Sequence, residues 1–357
     1  MCYDGGMKRL FWFTIIFLVL VFIAAGAYVI FRFQNNDARQ LASQKEYIAQ
    51  LPLFAPPDRV ERLPFVIAED GTKEFHLRAE EFRWEYANGQ WAHVWGYNGQ
   101  IPGPEIRVTE GDKVRVIVQN NLPQGTSVHW HGLDVPWTED GVPGFSQDPI
   151  QPNEEFIYEF VAKPAGTRMY HSHGKSHTTV TQQLDMGLSG PFIVEPRNPQ
   201  LEYDREFTLL LDEWNVRPDG FNDSLSQTHP SYNLFTINGR VFPDTAPLTI
   251  ERNEKVLVRF INAGTSALHP MHLHGHQFEV AARDGNALPL AAREILNTVT
   301  VHPGETADIL ITANNPGPWL LHCHDAHHAA AGMIVILNYA GFPTELHQIE
   351  TPKELIQ

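Results

Sequence analysis

The stretch HCHDAHHAAAGM, residues 322 to 333, decides how this sequence is understood. It offers a thiolate at Cys323, an imidazole five residues later at His328 and a thioether ten residues later at Met333. Sulfur and imidazole donors in this spacing are typical of a single copper centre. A second imidazole can come from His269, the first histidine of the run HPMHLHGH. We therefore predict one copper ion held by these four side chains.

The same stretch predicts a second metal site on the other face of its strand. If residues 320–324 are extended, successive side chains point in opposite directions. Cys323 then faces one side, while His322 and His324 face the other. One strand would serve two metal sites.

The chain contains four His-x-His pairs, and on a strand the two rings of a pair lie on one face, about 6.5 Å apart. Eight neutral imidazoles can hold three copper ions and leave positions open for a small molecule such as dioxygen. Zinc is the competing metal, but zinc does not explain the adjacent cysteine, histidine and methionine centre. The pairs are His129/His131, His171/His173, His272/His274 and His322/His324.

Short alternating runs bounded by Gly, Pro, Asn and Asp begin near Glu74 and predict the strands of β-sandwiches. EGDKVRVIVQNN followed by HWHG (110–132) matches RNEKVLVRFINAG followed by HLHG (252–275), and YHSH (170–173) matches LHCH (321–324). A repeat of this length indicates a duplicated domain. We predict an all-β chain with a tether at 33–73, a first domain at 74–197, a second domain at 205–341 and a C-terminal tail at 342–357.

Residues Leu10 to Phe31 form an uncharged apolar run after Lys8 and Arg9, long enough to cross a bilayer. The run predicts export, to the periplasm or the extracytoplasmic face of a membrane. Residues 1–32 are either a retained transmembrane anchor or a signal peptide removed after small residues such as Ala25-Gly26-Ala27. The net charge of −16 argues against a nucleic-acid partner.

Four motifs, HWHG, YHSHG, HPMHLHGH and HCHDAHHAAAGM, occur in this order between about Trp84 and Tyr339. Together with DGVPGFSQDPI (140–150) and NPGPWLLHCH (315–324), they resemble the sequence of two-domain, laccase-like multicopper oxidases. The resemblance implies two cupredoxin-like, Greek-key β-sandwiches. It also implies four copper ions per active unit: one type 1, one type 2 and two type 3.

The resemblance implies a ligand set for each copper ion. The type 1 ligands are His269, Cys323, His328 and axial Met333, and the type 2 ligands are His129 and His272. One type 3 ion is held by His131, His171 and His324, and the other by His173, His274 and His322.

The first copy of the repeat lacks a type 1 centre. Ser172 occupies the place of Cys323, Thr126 occupies the place of His269, and the axial position falls near Gln182 or Leu188. A hydroxyl does not replace a thiolate in a blue copper site. We therefore expect one type 1 ion per chain.

The activity implied by the resemblance is one-electron oxidation of a reducing substrate at the type 1 ion, with reduction of dioxygen to two waters at the other three. Cys323 would carry electrons through its neighbours His322 and His324. Asp140, nine residues after His131, matches an acid that relays protons, although Asp-Gly is also a strong turn pair. A second relay at Asp325 departs from the family pattern, since some relatives carry the acid at the place of Ala326.

Several alternatives stay open. The electron donor can be a phenol, an aromatic amine, a metal ion such as Fe(II), Cu(I) or Mn(II), or a redox protein. A copper nitrite reductase is a rival, although that family carries its blue-site cysteine where this chain has Ser172. A copper-binding protein without turnover is another. The resemblance further implies a homotrimer, in which the first domain of one subunit meets the second domain of the next.

Overall fold

The computed structural model of the chain describes residues 42–174, 177–225 and 231–343, with four isolated positions nearer the N-terminus, 12, 13, 22 and 26. Residues 42–50 are helical. From Pro52 onward the chain forms a unit of its own, which contains two β-sandwiches.

The first sandwich consists of a six-stranded and a four-stranded sheet. In the larger sheet the order is β1-β3-β6-β8, with β2 and β4 also paired to β3, and in the smaller it is β5-β10-β9-β7. The strands are β1 (Leu53–Phe54), β2 (Phe65–Ile67), β3 (Lys73–Ala87), β4 (Gln90–Tyr97), β5 (Ile106–Thr109), β6 (Lys113–Asn120), β7 (Val128–His131), β8 (Glu155–Val161), β9 (Gly166–Ser172) and β10 (Ser189–Glu195).

The second sandwich has a seven-stranded and a five-stranded sheet. The orders are β12-β11-β14-β20-β16-β17, with β18 paired to β16, and β13-β22-β21-β15-β19. The strands are β11 (Arg205–Trp214), β12 (Leu234–Ile237), β13 (Leu248–Ile250), β14 (Lys255–Asn262), β15 (His269–Leu273), β16 (Phe278–Arg283), β17 (Asn286–Ala287), β18 (Ile295–Leu296), β19 (Thr298–Val301), β20 (Thr306–Thr312), β21 (Pro318–Cys323) and β22 (Ile334–Tyr339).

Helices are few and short. Helix α1 (His177–Asp185) follows β9, and helix α2 (Ala326–Ala330) follows β21, so each stands at the same point of its sandwich. Three single 3-10 turns complete the described elements: Trp137–Glu139, Asp223–Leu225 and Leu290–Ala292. The described residues are mostly β, with few helices, which supports the predicted fold class in its main part.

The repeat seen in the sequence is also present in the strand pairing of the two sandwiches. Strand β3 runs parallel to β6 as β11 runs parallel to β14, and β5 pairs with β10 as β13 pairs with β22. Alternation explains the inward faces: in β6, Val114, Val116 and Val118 are buried while the residues between them are at least partly exposed. The outcome is two similar sandwiches, each with its own apolar core.

Polar and aromatic contacts join the two sandwiches of one chain. The indole Nε1 of Trp84 donates to the carbonyl oxygen of Gly239 at 2.8 Å. Thr167 donates to Asp308 at 2.8 Å, and the same carboxylate is 3.0 Å from the guanidinium of Arg259. Because these groups are buried, their pairing fixes the first sandwich against the second.

The segment predicted as a tether, residues 33–73, contains two short strands in addition to the helical residues 42–50. Leu53–Phe54 pairs with β3 in parallel, and Phe65–Ile67 pairs with it antiparallel. These short strands, with their prolines between them, extend the first sheet beyond the predicted start at Glu74.

The predicted membrane segment at 10–31 lies outside the described residues except at four positions, and the tail beyond 343 also lies outside them. In the part of the chain that is described, no helix is long and apolar enough to span a bilayer.

Candidate metal centres

Strand β21 presents its two faces to two different clusters. Cys323 is fully buried in the core of the second sandwich. His322, one residue earlier, points away from that core, and its Nε2 lies 3.0 Å from Nε2 of His274. The predicted alternation is therefore observed, and the two clusters are joined by a single peptide bond.

The first cluster combines Cys323 with two imidazoles. Its Sγ lies 3.5 Å from Nδ1 of His328, on helix α2, and 3.8 Å from Nδ1 of His269, on β15. All three donor atoms lie within 4.8 Å of one another, so one ion can contact them together. The ring of Phe235 stacks on His328 with centroids 4.0 Å apart and covers the cluster on that side.

The backbone of Met333 lies beside Cys323 because the chain turns back after α2. The N–H of Cys323 donates to the carbonyl of Met333 at 3.1 Å, and the N–H of Met333 donates to that of His328 at 3.0 Å. Gly332 has φ +118°, and a Cβ there would lie 2.4 Å from Cβ of Val241. Glycine is thus required at the turn. The buried Met333 belongs to the same apolar core as Cys323.

Burial controls protonation in this cluster. Burial, with a smaller contribution from His328, lowers the pKa of His269 to about 3. Burial also lowers the pKa of His328 and raises the pKa of the Cys323 thiol to about 12. The rings are neutral lone-pair donors, and the buried thiol would give up its proton only to a cation. This donor set fits a copper ion.

The histidines of the first sandwich form a second cluster, at the end where β7 and β9 pair. The register places His129 directly opposite His171. The ring of His129 lies 5.6 Å from that of His131, 5.2 Å from that of His171 and 6.1 Å from that of His173, measured between centroids. Nδ1 of His131 is 3.3 Å from Nε2 of His171. The structure thus brings these four predicted ligands together.

The second sandwich repeats this arrangement on β15 and β21. His272 lies opposite His322, as His129 lies opposite His171. The ring of His272 is 4.9 Å from that of His274 and 5.5 Å from that of His324. These four predicted ligands also converge, on the face of β21 opposite to Cys323.

Five of the eight histidines place Nδ1 2.7 to 3.1 Å from a backbone carbonyl oxygen, which accepts the Nδ1–H. The lone pair then lies on Nε2, the arrangement that typically orients a metal-binding imidazole. The pairs of ring and carbonyl are His129 with Asp140, His171 with Ser172, His173 with Gly174, His272 with Asn297 and His322 with Cys323.

The pKa is lowered for four of the eight cluster histidines, so these four rings favour the neutral form. Burial is the largest cause that lowers their pKa, and neighbouring imidazoles contribute to it. The effect is strongest at His171, whose pKa lies well below its ordinary value. Neutral, converging imidazoles fit cationic copper, which needs free lone pairs. The rings are those of His131, His171, His274 and His322.

Asp140 lies beside this group. Its carboxylate oxygen is 3.3 Å from Nδ1 of His129, and its own carbonyl accepts from that nitrogen at 2.8 Å. The next residue, Gly141, has φ +77°, and a Cβ there would lie 1.8 Å from the carbonyl oxygen of Val128. Asp140 therefore belongs to a tight turn, and the turn holds a partly exposed carboxylate against a predicted ligand.

Asp325 has a different place. Its carboxylate accepts from the backbone N–H groups of His327 and His328, at 2.9 and 3.3 Å, and so caps helix α2. The other carboxylate oxygen is 3.9 Å from Nε2 of His328. These contacts put Asp325 beside the cysteine cluster and give it a structural role there.

The corresponding position in the first sandwich is filled without a thiolate. The N–H of Ser172 donates to Leu188 at 2.9 Å, as that of Cys323 donates to Met333. Leu188 is therefore the counterpart of the axial methionine, and of the two predicted candidates Gln182 is excluded. Thr126 donates to the buried side chain of Gln183 at 2.8 Å.

Three side-chain contacts near the cysteine cluster could not be predicted from the sequence. They are Phe235, which stacks on His328; the buried Glu213, 3.8 Å from His269; and the buried Asp185, bound to Tyr232 and Thr265. These residues come from separate strands and loops, and none has a local motif. Only the chain's tertiary pairing brings them to the cluster.

Comparison with known proteins agrees with the geometry. Two family models, each described as multicopper oxidase, match residues 78–199 and 217–340, together well over half of the chain. Laccase-15 of Oryza sativa subsp. japonica is 34% identical over 246 residues, which cover 61% of this chain and 38% of that protein. The chain spans about two fifths of the length of the laccases that it matches.

Solved structures share the fold. The blue copper oxidase from Nitrosomonas europaea is 32% identical with a TM-score of 0.68, covering 74% of this chain and 85% of that one. A copper nitrite reductase from Nitrosomonas europaea has a TM-score of 0.67 at 25% identity, covering 79% of this chain and 99% of that one. Overall shape alone therefore does not separate the two, whereas the position of the cysteine bears on the choice.

Proposed function

The chain belongs to the multicopper oxidase family, and on that premise we propose that it is a laccase-like oxidase. It couples the one-electron oxidation of a reducing substrate to the four-electron reduction of dioxygen to water. The family binds copper as one type 1 ion and a trinuclear cluster. The type 1 ion accepts single electrons, and the cluster reduces dioxygen.

One observation carries this proposal: β21 bears a cysteine on one face and cluster histidines on the other. A carrier or storage protein has no need for two clusters in covalent continuity. In this chain the backbone from Cys323 to His322 and His324 is the shortest covalent connection between them. A nitrite reductase is disfavoured because Ser172 occupies the cysteine position of the first sandwich.

The proposed ligands are the twelve residues predicted from the sequence. The contacts between His131 and His171, and between His274 and His322, support their assignment to two different type 3 ions. Asp140 supplies protons, because its carboxylate contacts His129 and is also open to solvent. The remaining assignments are type 2 for His129 and His272, type 1 for His269, Cys323, His328 and Met333, and type 3 for His173 and His324.

The proposed assembly is a homotrimer in which the histidines of one subunit's first sandwich meet those of the next subunit's second. Within the described residues, each group able to hold a metal lies inside one sandwich. His274 and His324 are exposed in the single chain, although a dioxygen-reducing cluster needs a dry site. Trp137 and Phe145, 65% and 75% exposed, flank the Asp140 turn and offer apolar contacts to a neighbouring subunit.

The proposed location is outside the cytoplasm, with residues 10–31 as an anchor or signal. The apolar run in the sequence supports this. The proposed domain division is 74–197 and 205–341, with the short strands before residue 74 added to the first domain. Dioxygen and a small-molecule or metal-ion reductant are the proposed partners.

Oxygen uptake by the full-length, copper-loaded chain tests the function. With a phenol or Fe(II) as reductant, we expect one dioxygen to be consumed for every four electrons, without release of hydrogen peroxide. The same protein with nitrite and no oxygen should form no nitric oxide. Copper binding without oxygen uptake would point to a carrier, and nitric oxide formation would point to a nitrite reductase.

A further inference from the structure

Glu213 is the penultimate residue of strand β11, and its carboxylate lies beside His269. Oε2 of Glu213 is 3.8 Å from Nε2 of His269, and neither side chain has any exposed area. This separation is longer than a hydrogen bond. Nε2 of His269 has no hydrogen-bond partner within the described part of the chain. A buried ring nitrogen thus faces a buried carboxylate without yet being bonded to it.

Metal binding at Nδ1, the other ring nitrogen of His269, would determine whether Nε2 carries a proton. Nδ1 faces Sγ of Cys323 at 3.8 Å and is therefore the nitrogen available to a metal. When a metal binds one nitrogen of an imidazole, the proton resides on the other. The Nε2–H then points toward Glu213, and a hydrogen bond between the two would require the atoms to approach to about 3 Å.

Glu213 is itself held firmly. Oε1 accepts from the backbone N–H groups of Ser266 and Ala267, at 2.7 and 3.0 Å, and Oε2 accepts from Ala267 at 3.1 Å. Gly264 lies so close that a Cβ there would be 3.0 Å from the carboxyl carbon. Burial raises the pKa of Glu213, and the hydrogen bonds that it accepts from the backbone oppose this effect by stabilising the ionised carboxylate. The segment it holds leads directly into His269.

We propose that Glu213 is a positioning residue for His269, and that its negative charge lowers the reduction potential of the copper bound at the cysteine cluster. The carboxylate fixes the proton on Nε2 and so directs Nδ1 to the metal. An anion at this distance stabilises the cupric more than the cuprous ion, because the cupric ion carries the greater charge. The inference rests on the proposed function, since it requires that the cluster binds copper.

Asp185 provides a matched control. It is a second fully buried carboxylate and accepts from Tyr232 at 2.8 Å and from Thr265 at 2.9 Å. Through Thr265 it holds the same segment as Glu213, but its described bonds do not include His269. Asp185→Asn therefore removes a buried acid from the same region without removing the carboxylate that faces the ring.

The test is a redox titration of the blue absorption in the full-length, copper-loaded protein at one pH above 7, where Asp185 is ionised. Glu213→Gln keeps the shape and the acceptor for the backbone N–H groups. At a fixed applied potential we expect the ratio of oxidised to reduced centre to fall about tenfold, an order of magnitude set by screened Coulomb interaction. For a one-electron couple this is a rise of about 59 mV. Asp185→Asn should change the ratio less than twofold.

Equal potentials in the wild type and Glu213→Gln would overturn the inference, and so would an equal shift in Asp185→Asn. A wild type without blue absorption would instead refute the proposed function. If Glu213→Gln takes up no copper, a second variant tests the positioning role. Co(II) binding is then measured on copper-free Glu213→Asp and on the copper-free wild type. That variant keeps the charge but withdraws it from His269, so its Co(II) affinity should fall about tenfold. Unchanged affinity would contradict the positioning role.

Discussion

Asp185 makes the stability of the copper-free protein depend on pH in a way that one substitution removes. Burial raises the pKa of Asp185 from 3.8 to about 7, against the opposing effect of hydrogen bonds from Tyr232 and Thr265. The folded protein therefore keeps this proton to a higher pH than the unfolded chain does. Stability falls as the pH rises from about 4 to about 7, because in that range the folded state binds more protons.

The size of the effect follows from this pKa difference. Above pH 7 the ionised Asp185 destabilises the fold by about 4 kcal/mol relative to a neutral side chain. At pH 5 the same comparison gives about 2 kcal/mol, since only part of the range has been crossed. Asn has the shape of Asp and no charge to bury. Between pH 5 and pH 8 the wild type should thus lose about 2 to 3 kcal/mol relative to Asp185→Asn.

Denaturant unfolding of the copper-free wild type and Asp185→Asn at pH 5, 6, 7 and 8 measures this difference directly. The buried histidines titrate in both proteins, so their contributions cancel in the comparison. Asp148 is exposed, and Asp148→Asn is the control for removal of a carboxylate from the surface. A constant difference between the wild type and Asp185→Asn over the same range would refute the reasoning.

Three further predictions concern the metal centres. Met333→Leu should keep the blue colour and raise the potential of the type 1 ion, because a weak axial ligand is lost; an unchanged potential in a redox titration would show that another group is axial. Asp140→Asn keeps the shape of the turn but has no exchangeable acid, so stopped-flow should show slower reoxidation by dioxygen and unaltered reduction by substrate; equal slowing of both would indicate the turn role alone. Dilution should lower oxidase activity before it lowers the blue colour, because the shared cluster depends on assembly; a fully active monomer by light scattering would refute the trimer.

A site that is built from neighbouring positions of one strand can be predicted from the sequence. The opposed faces of Cys323 and His322 follow from the two-residue period of a strand, and the structure has them so. The first sandwich was predicted to lack a cysteine centre because Ser172 occupies the position that matches Cys323. Such features need only the strand and its direction.

Features that depend on distant segments were beyond the sequence. Asp185 lies at the end of α1 and meets Tyr232, 47 residues later, and Thr265, 80 residues later. No local pattern marks these contacts, because they depend on how the two sandwiches pack. The choice of Leu188 over Gln182 as the counterpart of Met333 likewise needed the backbone bond to Ser172.

Copper analysis with electron paramagnetic resonance on the wild type and Cys323→Ser tests the central claim that one strand joins two separate copper sites. We expect four copper ions per chain in the wild type, with both type 1 and type 2 signals. Cys323→Ser should keep three ions and the type 2 signal, because its eight cluster histidines are unchanged, and should lose the blue absorption and the oxidase activity together. A Cys323→Ser protein that stays blue, or one that loses all its copper while remaining folded, would contradict the claim.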